Sequence, residues 1–391
     1  MIFNHFETGR SFAEKLDRED KLRHFRDKFY NPEENTIYLD GNSLGKLPLA
    51  TRENLKQVID GQWGTRLIRS WNEGWYSRSA ESGKKLARII GAGEDEVIIS
   101  DSTSMNLYKL AYAALRLRTG RKKIVSDELN FPTDLYVLQG LIDQFGEDYE
   151  LKLARSENGI TVSLEEIEKV VDGDTALVVL SHVAFKSAFM YDMKAVSSLV
   201  HRKGALVLWD LSHAAGAVPV DLQGSRTDLA VGCTYKYLNG GPGAPAYLYI
   251  SKEIQEKLFS PVWGWFGEAD PFAFDLEYRP APGIRKFLVG TPPVLSLEAI
   301  DPGLDIILEA GMDNLRKKSV MQSQYLVLLF EQLLKEHGFS MGSPADPALR
   351  GSHLSFQHPE AYRICKALIE PQNTHIRVIP DFRAPDNIRV G

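Results

Sequence analysis

Cysteine is almost missing from this chain of 391 residues: only Cys233 and Cys365 occur. Two thiols so far apart offer neither a metal-ligand spacing nor a disulfide framework, so no metal is expected and a reduced, cytoplasmic setting is. Long apolar runs are missing too. None approaches the roughly 18 residues needed to cross a bilayer, and no membrane association is expected. Positive charge is not in excess either: 46 Lys and Arg stand against 52 Asp and Glu, a net charge of −6, which favours neither nucleic acid nor an anionic membrane. Internal repeats and low-complexity segments are absent. The opening Met1–Ala13 is broken by Asn4, His5, Glu7 and Arg10 and does not read as a signal peptide.

What is present is an ordinary globular composition, 43% hydrophobic and 25% charged, on a chain long enough for two domains. The first 30 residues read as a charged amphipathic helix carrying Phe12, Leu16, Leu22 and Phe25. Ile37–Leu39 is a short strand, and Asp40–Gly45 is a turn by composition. Helical spacing returns from Ala50 to Gln62. From about 76 to 250 helix and strand alternate: helix near 79–91, strand 96–100, helix 104–117, strand 123–125, helix 133–145, strand 176–181, helix 192–203, strand 205–209. The near-continuous Val/Leu runs predict strands buried on both faces, hence an α/β fold whose mostly parallel sheet is covered by helices. Residues 300–391 change character, with a long helix over roughly 301–337, strands at 352–356 and 376–378, and a helix at 359–369. The expected division is a segment 1–50, a large domain 51–299 and a smaller α+β domain 300–391 on which the first segment packs.

Ligands of such sheets bind outside the carboxyl ends of the strands, and polar residues crowd there. The apolar run Leu229–Cys233 leads to Thr234-Tyr235-Lys236, followed by the glycine-rich Asn239–Gly243. Burial disfavours an ammonium, so a lysine forced against the interior is a candidate nucleophilic amine, and the glycines let a flat, bulky group approach. A second apolar strand, Val207-Leu208-Trp209, ends in Asp210. A lysine able to form a Schiff base and an aspartate able to pair with a pyridine nitrogen are together what pyridoxal 5′-phosphate requires. The alternative readings are a solvated strand end for Lys236 and a turn residue for Asp210. Lys186 competes for the lysine role but lacks both the glycine turn and a matching aspartate.

Other polar positions join this pair. Ser102-Thr103-Ser104 opens a helix, either as a plain cap or as an anion seat; without lysine it is not a nucleotide loop. Phe131-Pro132-Thr133-Asp134 also opens a helix, with Phe131 placed to cover a cofactor ring and Asp134 to meet its polar edge. His213 would orient Asp210 or meet the phosphate. Arg389 would grip a substrate carboxylate, with Arg377 and Arg383 as competitors.

At the level of longer blocks the chain resembles the kynureninases, pyridoxal-phosphate enzymes of the aspartate-aminotransferase fold (fold type I). The resemblance is carried by Tyr38–Gly45, Leu67–Asn72, Asn130–Tyr136, Trp209–Leu222, Cys233–Gly243, Gly264–Gly267 and Arg350–Phe356. It implies Lys236, Tyr235 and Asp210 as catalytic residues, Lys236 forming the Schiff base and Tyr235 relaying protons. Thr103, Ser104, Phe131, Thr133, Asp134, Asp210, His213, Tyr235 and Lys236 would bind the cofactor, joined by Trp265 and Thr291 from a second subunit. Ser43, Trp71 and Arg389 would meet a small amino-acid substrate. The implied reaction is hydrolysis of L-kynurenine to anthranilate and L-alanine by a homodimer with shared sites, in tryptophan catabolism with a link to NAD biosynthesis. Trp71 and Thr291 offer little to a ring hydroxyl, which favours kynurenine over its 3-hydroxy form. The pattern departs in two places. Glu268 stands where the family often has histidine, and the family continues past Ile388-Arg389-Val390 where this chain stops at Gly391, so the small domain is expected to be incomplete. The rival readings are another lyase of this fold, such as a cysteine desulfurase relative, and a non-catalytic relative.

Overall fold

The computed structural model describes residues 6–391. Of the opening segment Met1–Ala13, the first five residues lie outside the described ones. Strand β1 is Thr36–Tyr38. The alternating region supplies β2 (Val97–Ile99), β3 (Lys123–Asp127), β4 (Glu150–Ala154), β5 (Thr175–Ser181), β6 (Leu206–Asp210), β7 (Leu229–Gly232) and β8 (Tyr247–Ile250). These seven form one sheet in the order β2-β8-β7-β6-β5-β3-β4. The run from β7 to β4 is parallel throughout, and β8 is antiparallel to both of its neighbours.

The sheet strands explain their own burial. Val178 and Leu180 of β5, Val207 and Trp209 of β6 and Ala230 of β7 point into one core. Their chain neighbours Leu177, Val179, Leu206, Leu208, Leu229 and Val231 point into a second core on the other face. Side chains alternate along a strand, so an unbroken apolar run is what a sheet with two covered faces requires. Helices 103–117 and 132–145 supply Leu107, Leu110, Leu138 and Leu141 to the second core. Helices 78–89 and 193–202 supply Leu86, Val196 and Leu199 to the first. Each such fully buried Leu or Val contributes about 1.5–3 kcal/mol of transfer free energy.

The later part of the chain builds a four-stranded antiparallel sheet from β9 (Ser340–Met341), β10 (Leu354–Gln357), β12 (Asp381–Arg383) and β13 (Asn387–Val390), in the order β12-β13-β10-β9. The remaining strand, β11 (Arg377–Ile379), pairs in parallel with β1.

Several sequence expectations are corrected. The helix expected over 301–337 is two α-helices, Asp301–Ala310 and Met312–Leu329, the second continued by π and 3₁₀ turns as far as His337. They are broken at Gly311, whose φ of +78° lies where glycine is favoured. The early helix is Arg10–Glu19, with a separate 3₁₀ turn at Arg23–Lys28. The helix expected from Ala50 to Gln62 runs as α-helix only over Leu49–Gln57 and then widens into π-turns over Val58–Arg66. Strands β4, β8, β9, β12 and β13 lie in stretches where no strand was expected.

Candidate active site

β6 and β7 are parallel neighbours, with Asp210 opposite Val231. Asp210 is the last residue of β6. Lys236 does not end a strand as expected: β7 stops at Gly232, and the lysine lies four residues further on, in the following turn. That turn is held from outside by the Asp40–Gly45 segment, where the Gly45 amide donates to the Tyr235 carbonyl at 2.8 Å. A side chain on Gly45 would put its Cβ 2.2 Å from the Lys236 carbonyl oxygen, so glycine is required there.

Three of the named residues lie near Lys236, among them His213, which meets the lysine and not Asp210. The lysine Nζ lies 2.9 Å from Nε2 of His213 and 5.9 Å from the ring centres of both Phe131 and Tyr235. The Phe131 ring meets Phe185 edge-on at 5.2 Å. Phe131 caps the 132–145 helix, Pro132 fits its first turn, and Thr133 and Asp134 follow. Asp210 Oδ1 accepts from the Ser212 amide at 2.8 Å and the Ser212 hydroxyl at 2.6 Å. Asp134 is buried, and its Oδ2 has no hydrogen-bond partner.

The electrostatics follow from this crowding. Burial and then the Asp210 charge hold the Asp134 carboxyl well above the usual range, against the pull of Lys236. Burial raises Asp210 as well, opposed by its Ser212 hydrogen bonds and by Lys236. Burial, with the Lys236 charge second, holds His213 well below its ordinary value, so it is neutral. Burial raises the Tyr235 phenol far enough to keep it protonated. Two buried carboxylates, one with an unpaired oxygen, call for a further positive or donating group between them and the lysine. A protonated pyridine nitrogen meets that need, so the residues fit pyridoxal phosphate. Thr103 and Ser104 open the 103–117 helix, capped by Ser102, whose hydroxyl accepts from the Met105 amide at 3.4 Å.

Arg389, on β13, is buried. Its Nε donates to Asp381 Oδ2 at 2.6 Å, its Nη1 to the Phe185 carbonyl, and its Nη2 to the Ser43 hydroxyl at 3.3 Å. Ser43 and Arg389, far apart in sequence, are thus brought together. Of the competitors, Arg377 is exposed and pairs with Glu33, while Arg383 shares Asp381 with Arg389. Lys186 donates to the Ala384 carbonyl at 3.3 Å.

Trp71, Trp265 and Thr291 form a separate group. Trp71 and Trp265 both pack on Phe266, with ring centres at 5.8 and 4.7 Å. Thr291 follows Val289, whose carbonyl accepts from the Phe266 amide at 3.2 Å. Among the described residues no hydrogen bond or ring contact links these three to the Lys236 group. Phe272, with its ring centre 6.1 Å from that of Trp265, and Phe274, 6.4 Å from Phe272, are exposed.

Sequence reasoning missed His353 and Asn42. The His353 ring lies 5.4 Å from His213. Neither of its nitrogens has a well-formed hydrogen bond, although the Phe185 carbonyl gives it a weak polar contact. Asn42 is buried with both side-chain polar atoms unpaired. Both lie in blocks that carry the family resemblance, but their burial and unpaired polar atoms depend on distant segments and show only in the fold.

Asp127, at the end of β3, yields a prediction. Burial pushes its carboxyl up to about 6, despite hydrogen bonds from the Tyr191 hydroxyl and the Leu129 amide. Below that value the folded state holds a proton that the unfolded chain gives up until near its ordinary value of 3.8, so acid favours folding at this group. Relative to Asp127→Asn, the parent chain should gain about 2 kcal/mol of stability between about pH 7 and about pH 4.5. Urea unfolding of both proteins at the two pH values checks this; a difference constant with pH contradicts it.

The sheet order, the lysine turn beyond β7 and the aspartate ending β6 define a fold-type-I pyridoxal-phosphate enzyme. Solved structures of that fold superpose on the chain. One is the apo cysteine desulfurase from Thermococcus onnurineus NA1, with TM-score 0.77, 19% identity and coverage of 97% of this chain and 92% of that one. Another is the cystine C-S lyase C-DES with its product cysteine persulfide, with TM-score 0.76, 18% identity and coverage of 91% and 93%. Likeness at such identities speaks for the fold alone. Sequence relatives are more specific. Kynureninase from Pseudomonas fluorescens is 43% identical over 98% of this chain and 90% of its own length. Kynureninase from Burkholderia mallei (strain SAVP1) shows the same identity and coverage. The kynureninase C-terminal domain model matches residues 315–391. The chain belongs to the kynureninase family.

Proposed function

We propose that this chain hydrolyses L-kynurenine between Cβ and Cγ, giving anthranilate and L-alanine, with pyridoxal 5′-phosphate as cofactor. The observation that carries the reading is Lys236 beside His213, with Asp210 and Asp134, whose Oδ2 is unpaired, buried in the same site, in a chain of this family. The cofactor, when bound, supplies the electron sink that makes the substrate Cα–H acidic and the Cβ–Cγ bond breakable.

The protein's own residues do the rest. Lys236 would anchor the cofactor, and its Nζ would then take the proton from Cα. Neutral His213, 2.9 Å from that nitrogen, would orient it. Asp210, steadied by Ser212 and assisted by Asp134, would hold the pyridine nitrogen protonated. Phe131 would cover one face of the ring. Thr103, Ser104, Thr133 and the Tyr235 hydroxyl would surround the phosphate end. Tyr235, kept protonated by burial, would pass a proton during Cβ–Cγ cleavage, as water adds to the γ-carbonyl. Ser43 and Arg389 would receive the α-carboxylate.

A homodimer with shared sites is part of the proposal. Trp265 and Thr291 are exposed and have no hydrogen bond or ring contact with the Lys236 group among the described residues, which supports their acting on a partner's site, while half-buried Trp71, packed on Phe266, would meet the substrate. We read residues 1–50 as packing, through the β1–β11 pair, on a small domain 300–391, and 51–299 as the large domain. A cytoplasmic location rests on the scarcity of cysteine, and a link to NAD biosynthesis on the family resemblance.

The desulfurase alternative needs a reactive, mobile cysteine. Both cysteines are buried, and burial raises both thiols, that of Cys365 to about 11, the reverse of what such chemistry requires. Steady-state assays with L-kynurenine, 3-hydroxy-L-kynurenine and L-cysteine test the proposal. Anthranilate release from kynurenine at the highest kcat/KM is expected, and sulfide from cysteine as the main product would overturn it.

Arg389→Gln should raise KM for kynurenine by about 30-fold or more, since a charge-assisted carboxylate contact is worth about 2–5 kcal/mol when one partner is removed. Cofactor affinity should change far less. Arg377→Gln, at an exposed position, should leave KM near its parent value; the opposite ranking in titrations of the two variants would move the role away from Arg389.

A further inference from the structure

Among the described residues two lysines are buried, Lys109 and Lys286, and the proposed chemistry uses neither. Lys286 sits at an edge, donating to the Gln255 carbonyl and to Glu256. Lys109 is fully buried in the middle of the 103–117 helix. A buried ammonium is costly unless its donors are all satisfied, and those of Lys109 are divided between the turn before its own helix and the segment of Phe287. Its Nζ donates to Asp101 Oδ2 at 2.6 Å and to the Phe287 carbonyl at 2.7 Å, and lies 3.4 Å from the Ser100 hydroxyl.

The partners define what the lysine holds. Ser100 and Asp101 are the residues immediately before the Ser102-Thr103-Ser104 helix start. Asp101 has a φ of +45°, a left-handed conformation that a non-glycine residue keeps only when its surroundings impose it. They do so here. The Asp101 carbonyl accepts from the Ala246 amide at 2.8 Å. Its Oδ2 takes the Ser100 hydroxyl at 2.8 Å as well as Lys109. Asn106, also buried, donates to the Ser100 carbonyl at 2.6 Å. The turn that aims the first helical amides and hydroxyls is therefore pinned from beneath by side chains of the same helix. On its other side, Phe287 belongs to the segment that continues to Val289, tied to Phe266, and to Thr291.

We propose that Lys109 is a positioning residue for the cofactor's phosphate: it fixes the Asp101 turn, and with it Thr103 and Ser104, against the 283–291 segment, so that the anion seat is formed before the ligand arrives. Preorganised donors bind an anion more tightly than donors that must be ordered on binding. This rests on the reading of Thr103 and Ser104 as the phosphate seat. A lysine that served stability alone would weaken all ligands of the site alike. A positioning lysine affects the phosphate selectively.

The test compares the affinity of the apo protein for pyridoxal 5′-phosphate and for pyridoxal, which has the same ring and aldehyde without the phosphate. Parent, Lys109→Met and Lys286→Met are titrated by absorbance. In the parent, the phosphate form should bind far more tightly. In Lys109→Met that preference should fall by about tenfold, as expected when one charge-assisted hydrogen bond is removed, with pyridoxal affinity nearly unchanged. In Lys286→Met the preference should stay. An unchanged preference in Lys109→Met, or an equal fall in both variants, overturns the proposal. A parent without any preference for the phosphate form overturns the seat itself, a distinguishable failure. Should Lys109→Met not fold, Asp101→Asn decides by the same ratio. Asparagine tolerates the left-handed conformation and removes only the charge that Lys109 meets, so a reduced preference supports the strut and an unchanged one rejects it.

Discussion

Lys236→Ala should lose anthranilate release from L-kynurenine by on the order of 10⁴-fold or more, because one substitution removes both the covalent anchor of the cofactor and the base at Cα. The fold should survive. Lys236 lies in a turn beyond β7 rather than in the sheet, and its carbonyl, which receives the Asn239 amide at 3.0 Å, is kept by alanine. Losing the lysine also removes the cation that opposes the raised carboxyls of Asp134 and Asp210, so both should take up protons more readily in the variant. Activity and thermal unfolding are measured on the same preparation, free of added amines. Turnover within tenfold of the parent would remove Lys236 from the mechanism.

Asp210→Asn is expected to have the second largest effect. An amide has nearly the shape of the carboxylate and can still accept from Ser212, so the variant should fold and bind the cofactor. It cannot hold the pyridine nitrogen protonated, and the electron sink weakens. Exchange of the Cα proton of L-alanine into deuterated water should slow by about 10²–10⁴-fold, with a much smaller change in cofactor affinity. Exchange at the parent rate, followed by proton NMR, would show that Asp210 plays no part in activating Cα.

These residues were legible because their chemistry is written in short contiguous stretches. β5 and β6 announce themselves as unbroken apolar runs. The lysine turn carries its own glycines, and Asp210 directly follows Trp209 on a strand buried on both faces. What stayed illegible depends on contacts between distant segments. β8 lies within the sheet, between β2 and β7, yet its Tyr247–Ile250 run follows a Gly/Pro-rich stretch that reads as loop. β4, at the sheet edge, alternates exposed and covered residues and gives no long apolar signal. β12 and β13 are short and carry Asp381, Arg383 and Arg389, and the Asp381–Arg389 ion pair forms only once the strands pair. The same holds for Lys109. A lysine within an amphipathic helix reads as a solvated position, and only the fold shows that it turns inward to Asp101 and Phe287.

The central claim, that this family member works through a cofactor anchored on Lys236, is tested most directly by chemical trapping. The purified protein, loaded with pyridoxal 5′-phosphate, is reduced with borohydride, digested and mapped by mass spectrometry. The account predicts a single phosphopyridoxyl label on the peptide containing Thr234-Tyr235-Lys236. A label on Lys186, or on surface lysines with none on Lys236, would contradict it.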